Sequence, residues 1–210
     1  MDVSDAPVEA CLPPELRVGR RSLVVLAGMP GAGKSTVLAR LRAPAGWPVL
    51  DSDQVRARLR HGPLGRLPYR WYRPLVHFAH RARILWCCAV SGAPVVAHEP
   101  ATRRSTRALL ALFGAATRRE RVLVWLHAEP HEALAGQRAR GRMIRERSFR
   151  RHVRRALRMH RRLLDGRPLR GWHRVHLLSR TQAGRGVRVA AHGELHPVRR
   201  GGGHGRGGDR

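Results

Sequence analysis

Lysine is almost missing from this 210-residue chain: it occurs once, at Lys34, among 42 basic residues that are otherwise all arginine. Acids are scarce as well, 14 against those 42, and the formal net charge is +28 at neutral pH. A field of that sign disfavours cationic partners and attracts polyanions: nucleotides, phosphorylated compounds and nucleic acid. Near-exclusive arginine, with much alanine and glycine, also fits a GC-rich coding bias, and the charge is spread along the chain. Charge alone therefore implies only non-specific affinity. Cysteine is rare, with Cys11, Cys87 and Cys88. Three thiols, two of them adjacent, make neither a disulfide framework nor a metal-ligand spacing, so reduced thiols are expected. No apolar run approaches the roughly 18 residues of a membrane span. Met1–Pro14 carries acids and prolines and no apolar signal core. These absences point to a cytoplasmic protein without a membrane partner.

What is present is concentrated in Ser22–Thr36. The apolar run Leu23–Ala27 predicts a buried parallel strand. It leads into Gly28-Met29-Pro30-Gly31-Ala32-Gly33-Lys34-Ser35-Thr36, and Val37–Leu41 suits a helix. A glycine-rich loop between strand and helix is the phosphate-binding P-loop in its expected context. Its backbone N–H groups turn inward as an anion nest, and the helix terminus adds partial positive charge. Lys34 reaches the β- and γ-phosphates and the Ser35 hydroxyl ligates Mg²⁺. A chain that writes every other basic residue as arginine keeps lysine here. A closed cradle has room for a thin stem and a point charge, not for a planar fork.

Strands at Val49-Leu50, Val95–Ala97, Val122–Leu126 and Val175–Leu178 alternate with helical stretches. The alternation predicts one α/β domain with a parallel sheet covered on both faces. Its ligands would bind at the carboxyl ends of the strands. The helices are expected over Gln54–Arg60, Trp71–Val90, Arg104–Phe113 closed by Gly114, Glu129–Ala139, and from a Ser148 cap to about Leu164. In the long Trp71–Val90 helix, Leu75, Phe78, Ala79, Ala82, Leu85 and Trp86 fall close to helical spacing. Residues 1–20 read as a loose leader, 21–180 as the domain with a lid at about 138–150, and 181–210 as a disordered Gly/Arg/His tail.

Asp51 and Asp53 follow the second strand, beside the P-loop. Phosphoryl transfer needs the acceptor hydroxyl set against a base, and a carboxylate just past a strand end is so placed. Asp53 is read as that base or as a helix N-cap, with Arg56 three residues on, sharing its face and clamping an anionic acceptor. Asp51 is a lesser candidate, for contact with metal-bound water. Glu99, after the third strand, is a metal ligand or a loop acid, and Thr102 is placed to touch a phosphate or the metal's water. Arg138, Arg140, Arg142, Arg145 and Arg147 surround a helix break suited to a lid, with Arg138 and Arg142 chosen to meet the migrating phosphoryl group. The pairs His77/His80 and His173/His176 lack supporting ligands and read as core or surface histidines.

The P-loop, Leu50-Asp51-Ser52-Asp53-x-x-Arg56, Thr102 with Arg107, and Gln137-Arg138-Ala139-Arg140-Gly141-Arg142 together resemble the predicted P-loop kinases. These are AAA-labelled ATP-binding proteins related to polynucleotide kinase and the zeta-toxin kinases. The resemblance spans about Leu23 to Leu178. It implies a three-layer P-loop fold with strand order 2-3-1-4-5 and ATP as donor. It also implies Asp53 as general base, Arg56 on the acceptor and lid arginines on the phosphates. His98-Glu99 stands where that family has an aspartate, and no closing helix is expected after Arg180. The resulting expectation is an ATP/Mg²⁺-dependent kinase acting on a hydroxyl of a small or nucleotide-like acceptor, selected by Gly62–Tyr72 and the lid. A monomer or dimer is expected, with non-specific nucleic-acid binding through the basic surface and tail. An ATP-binding regulatory protein with weak hydrolysis, or a polynucleotide 5′-kinase, is the alternative.

Overall fold

A continuous apolar run can be satisfied only where both faces of a strand are covered, and Ser22–Gly28 is buried at all seven positions. The computed structural model describes residues 14–141 and 143–192. In chain order the strands are β1 (Glu15–Val18), β2 (Ser22–Gly28), β3 (Leu41–Arg42), β4 (Val49–Asp51), β5 (Val95–His98), β6 (Glu120–Leu126), β7 (Arg174–Leu178) and β8 (Val187–Ala191). The helices are α1 (Lys34–Ala39), α2 (Ser52–His61), α3 (Tyr69–Val90), α4 (Arg104–Ala116), α5 (Pro130–Arg138), α6 (Glu146–Leu164) and α7 (Arg180–Gly184). No helix among the described residues is long and apolar enough to cross a membrane.

The main sheet is parallel throughout and runs β4-β5-β2-β6-β7. Numbered within this sheet, that is 2-3-1-4-5, as the family resemblance implies. β2 at its centre pairs Leu23 with Val95 on one side and Arg121 on the other. Leu23, Val25 and Leu123 are fully buried, and such side chains each contribute about 1.5–3 kcal/mol.

The structure corrects four expectations. The expected leader and tail each contribute a strand: β1 and β8 pair in parallel, and β3 joins β8 on its other side. Leu16 and Val18 alternate inward and pair with Val189 and Ala191, a period of two that the surrounding arginine and glycine conceal. Residues 1–13 and 193–210 lie outside the described residues. A short helix, α7, does follow Arg180, capped by Ser179, whose hydroxyl accepts from Gln182 N. Gly114 does not stop α4, which continues to Ala116. A Cβ there would sit 2.5 Å from Arg121 Cγ, so close packing is its role. Ser148 does not cap α6, which starts at Glu146.

The face of α3 is a further surprise. Leu75, Phe78, Leu85 and Trp86 point outward, with Phe78 71% and Trp86 67% exposed. The buried row is Tyr72, Val76, His80, Ile84 and Cys88, one residue every four. A fully buried histidine in the middle of that row disguises it.

Candidate functional site

Between β2 and α1 the chain wraps as a loop whose conformation needs glycine. Gly31 has φ 91°, and a Cβ on it would fall 1.9 Å from the Ala133 carbonyl oxygen of α5. From the other side, a Cβ on Gly136 of α5 would reach 2.4 Å from Gly31 O. Helix α5 is thus pressed directly onto the loop. Gln137 Nε2 donates to Pro30 O at 3.2 Å, and Ile144 N donates to Gln137 Oε1 at 3.2 Å. Lys34 Nζ arches back and donates to Met29 O at 2.7 Å. Lys34 is only 5% exposed. Burial, and then the Arg140 guanidinium, bring its pKa down to about 7, against the opposing pull of Asp51 and Glu99.

Both carboxylates come from the ends of neighbouring strands. Asp51 closes β4 and caps α2: its Oδ1 accepts from Asp53 N at 3.1 Å, and Asp51 N donates to Gln54 Oε1 at 3.4 Å. His98, at the end of β5 and paired in register with Asp51, places Nδ1 3.0 Å from Asp51 Oδ1. Burial raises the Asp51 pKa, but the His98 hydrogen bond and charge outweigh it and hold the group at about 2. The cap is therefore Asp51 and not Asp53, which sits exposed in the first turn of α2. Arg56, one turn on, lies 4.1 Å over the Tyr69 ring.

Glu99 is 3% exposed. Its Oε1 accepts from Arg81 Nη2 at 2.9 Å, while its Oε2 has no hydrogen-bond partner. The adjacent His80 donates Nε2–H to His98 O at 3.1 Å, and burial keeps its pKa low. Thr102 Oγ1 bonds His152 Nδ1 at 2.9 Å. Burial first, then the charges of Arg155 and Lys34, hold His152 at about 4. Arg107 Nη1 braces this turn through Ala101 O and Thr102 O at 2.7 and 3.0 Å.

The lid arginines divide. Arg140 Nη1 donates to Ser35 Oγ at 3.0 Å. Arg138, at the end of α5, is exposed. Arg142 lies outside the described residues. The structure thus brings together Lys34, Ser35, Asp51, Glu99 and Arg140, with Asp53 and Arg56 alongside on α2. Sequence reasoning did not single out Arg140, nor His98 as the partner of Asp51. The signal for Arg140 was Gly136-Gln137, which ties α5 to the loop just before it.

As to a metal, the donors are hard oxygens, the kind Mg²⁺ takes. Ser35 Oγ sits at the start of α1, and Glu99 Oε2 is a buried oxygen without a hydrogen bond. Among the described residues no group of three or more His, Cys, Asp or Glu is placed to hold an ion by itself. The residues fit an ion that arrives on a nucleotide's phosphates.

A buried strand running into a lysine-closed anion loop, below a parallel sheet ordered 2-3-1-4-5, defines a P-loop nucleotide-binding protein of the kinase type. The chain belongs to the AAA domain family, whose sequence pattern matches residues 23–164. In solved structures it is similar to a gluconokinase from Sinorhizobium meliloti 1021, at 18% identity over 80% of this chain and 89% of that one, TM-score 0.52. It is similar to a putative kinase from Chloroflexus aurantiacus j-10-fl, at 16% identity over 76% and 88%, TM-score 0.56. A third likeness is to the PezAT chromosomal toxin-antitoxin system of Streptococcus pneumoniae, at 13% identity over 86% and 79%, TM-score 0.54. At these identities the likeness establishes the fold. No curated protein sequence matches.

Proposed function

We propose that the protein is an ATP- and Mg²⁺-dependent phosphotransferase that moves the γ-phosphoryl group to a hydroxyl of a small-molecule or nucleotide-like acceptor. The observation that carries this is the division of labour between the two aspartates of α2's start. Asp51, held at about 2 by His98 and committed to the cap, is too weak a base to take a hydroxyl proton. Asp53, the next acid along, leaves the capping to it and shares its helix with Arg56.

In the proposed step the acceptor oxygen attacks the γ-phosphorus and the β–γ bridging P–O bond breaks. The electron pair leaves with ADP, and the hydroxyl proton goes to Asp53. Lys34 binds the β- and γ-phosphates inside the loop, Arg56 orients the acceptor, and Arg140 follows the charge as it moves. Ser35 and Glu99, together with the nucleotide's phosphates, would hold Mg²⁺, which would supply charge neutralisation. Arg140 bonds the Ser35 hydroxyl, so for that oxygen to serve as a ligand the guanidinium would have to swing away.

The test is a labelled-ATP transfer screen against pools of nucleosides, sugars, antibiotics and RNA ends. Asp53→Asn should keep ATP affinity and lose at least about a hundredfold in transfer, the usual weight of a general base. Lys34→Ala should lose nucleotide binding itself. Slow hydrolysis without transfer to any pool, equal in wild type and Asp53→Asn, would replace the kinase with an ATP-binding regulatory protein.

A further inference from the structure

Between α4 and α6 lies a cavity of about 820 Å³, within the range of small-molecule sites. Seven of its thirteen lining residues are arginine and none is acidic. Arginine makes up about one residue in five of the chain, so the coding bias alone does not produce this lining. Helical spacing does: Arg104 and Arg107 on α4, and Arg155, Arg158 and Arg162 on α6, fall three and four residues apart and share one face of each helix.

Among the described residues none of these five pairs with a carboxylate. Arg107 is spent on the Ala101 and Thr102 carbonyls, Arg158 on Arg154 O at 3.3 Å, and Arg162 on Pro168 O at 2.9 Å. Arg107 has its pKa lowered by burial and then by its neighbours Arg104 and Arg162. A concave set of like charges is relieved by an occupant with several negative charges, and guanidinium forks match phosphate. The remaining walls include Ala108, Met159, Leu169 and Trp172, an apolar floor for an organic body. One end is Thr102, whose partner His152 feels the charges of both Arg155 and Lys34.

We propose that this cavity binds a small organic molecule carrying two or more phosphate groups, at a site separate from the phosphate loop and opening beside it. A ligand held there presents one end at Thr102, which the kinase reading sets against a phosphate or metal-bound water. Only that last placement rests on the kinase reading; the site itself does not.

The experiment is calorimetry at fixed ionic strength on the full chain carrying Lys34→Ala, which silences the phosphate loop. A hexose bisphosphate should bind at one site, at least about tenfold more tightly than the hexose monophosphate. Adding Arg104→Ser with Arg158→Ser should weaken it at least about tenfold. The charge-matched pair Arg58→Ser with Arg60→Ser, on α2, should change it less than about twofold. As a check that needs no substitution, the bisphosphate should protect Arg104 and Arg158 of the unaltered protein from phenylglyoxal. Equal loss in both pairs, or no protection, would mean a diffuse basic field and overturn the site. A single-stranded oligonucleotide binding more tightly than the bisphosphate through the same two arginines would overturn the small-molecule assignment. None of these readouts depends on phosphoryl transfer, so a failed kinase screen leaves them standing.

Discussion

Lys34 combines two properties that pull against each other. It must be positive to hold phosphate, yet its pKa lies at about 7 rather than 10.5, burial being the main cause. A bound polyphosphate restores the charge, so binding at pH 8 should take up about one proton per site. Calorimetry in buffers of different ionisation enthalpy measures it, and the lysine's share of the uptake should fade below about pH 6, where the buried ammonium is already charged. The sign reverses for stability. The unfolded lysine binds its proton more tightly, so the cost of burying it is full below pH 7 and fades as pH rises toward 10.5. Asp51 behaves in the opposite sense. Its contribution is present above about pH 4 and is lost as pH falls through about 2. Asp51→Asn, which loses the His98 partner, should lower stability by about 1 kcal/mol in thermal melts and cost transfer far less than Asp53→Asn. Lys34 and Ser35 were legible in the sequence because the P-loop is local. Arg140 was one of five lid candidates, and the choice of it over Arg138 and Arg142 was not legible, since its place depends on α5 meeting the loop at Gly136 and Gly31.

At the scale of elements, one buried arginine just before β6 joins α3, β2 and the turn between α3 and β5. Arg119, 2% exposed, precedes β6 and donates to Cys88 O of α3 at 2.7 Å and to Ala93 O at 2.8 Å. It also reaches Ser22 O of β2 at 3.3 Å, and Ser91 O. No carboxylate is involved; the guanidinium satisfies carbonyls left over at the end of α3, in the turn that follows it and at the start of β2. Arg119→Ala orphans them and should cost about 3 kcal/mol in urea unfolding. Lysine should rescue little, lacking the fork. Composition hid this residue among 42 basic ones. The same limit applies to α3, whose period was readable but whose face was not. Apolar side chains occupy the outside, and a histidine whose Nε2–H is satisfied by a carbonyl occupies the inside. β2, β5 and β6 were readable because a doubly covered sheet writes them as apolar runs, whereas β7, interrupted by His176 and half-exposed, was readable from its place in the alternation.

For the whole molecule, the second sheet redraws the boundary of the folded unit. Ending the chain after His192 keeps β8, and its thermal melt is the reference for a shorter cut. Ending it after Arg180 removes β8, with Val187 and Val189 each about 2% exposed. That should cost on the order of 4 kcal/mol, read by the same melts. β1 and β8 escaped the sequence because each is short and its partner is remote: Glu15 pairs with Arg188. That remoteness governs how the protein forms. Closing so long a loop costs entropy before any contact is gained, so this pairing belongs to the last act of folding. On that order the central sheet, with shorter loops to close, forms before β1 and β8 clasp. Contacts made after the rate-limiting barrier leave the folding rate alone and set the lifetime of the finished state. Weakening Val189 should therefore let the molecule open sooner without making it slower to form.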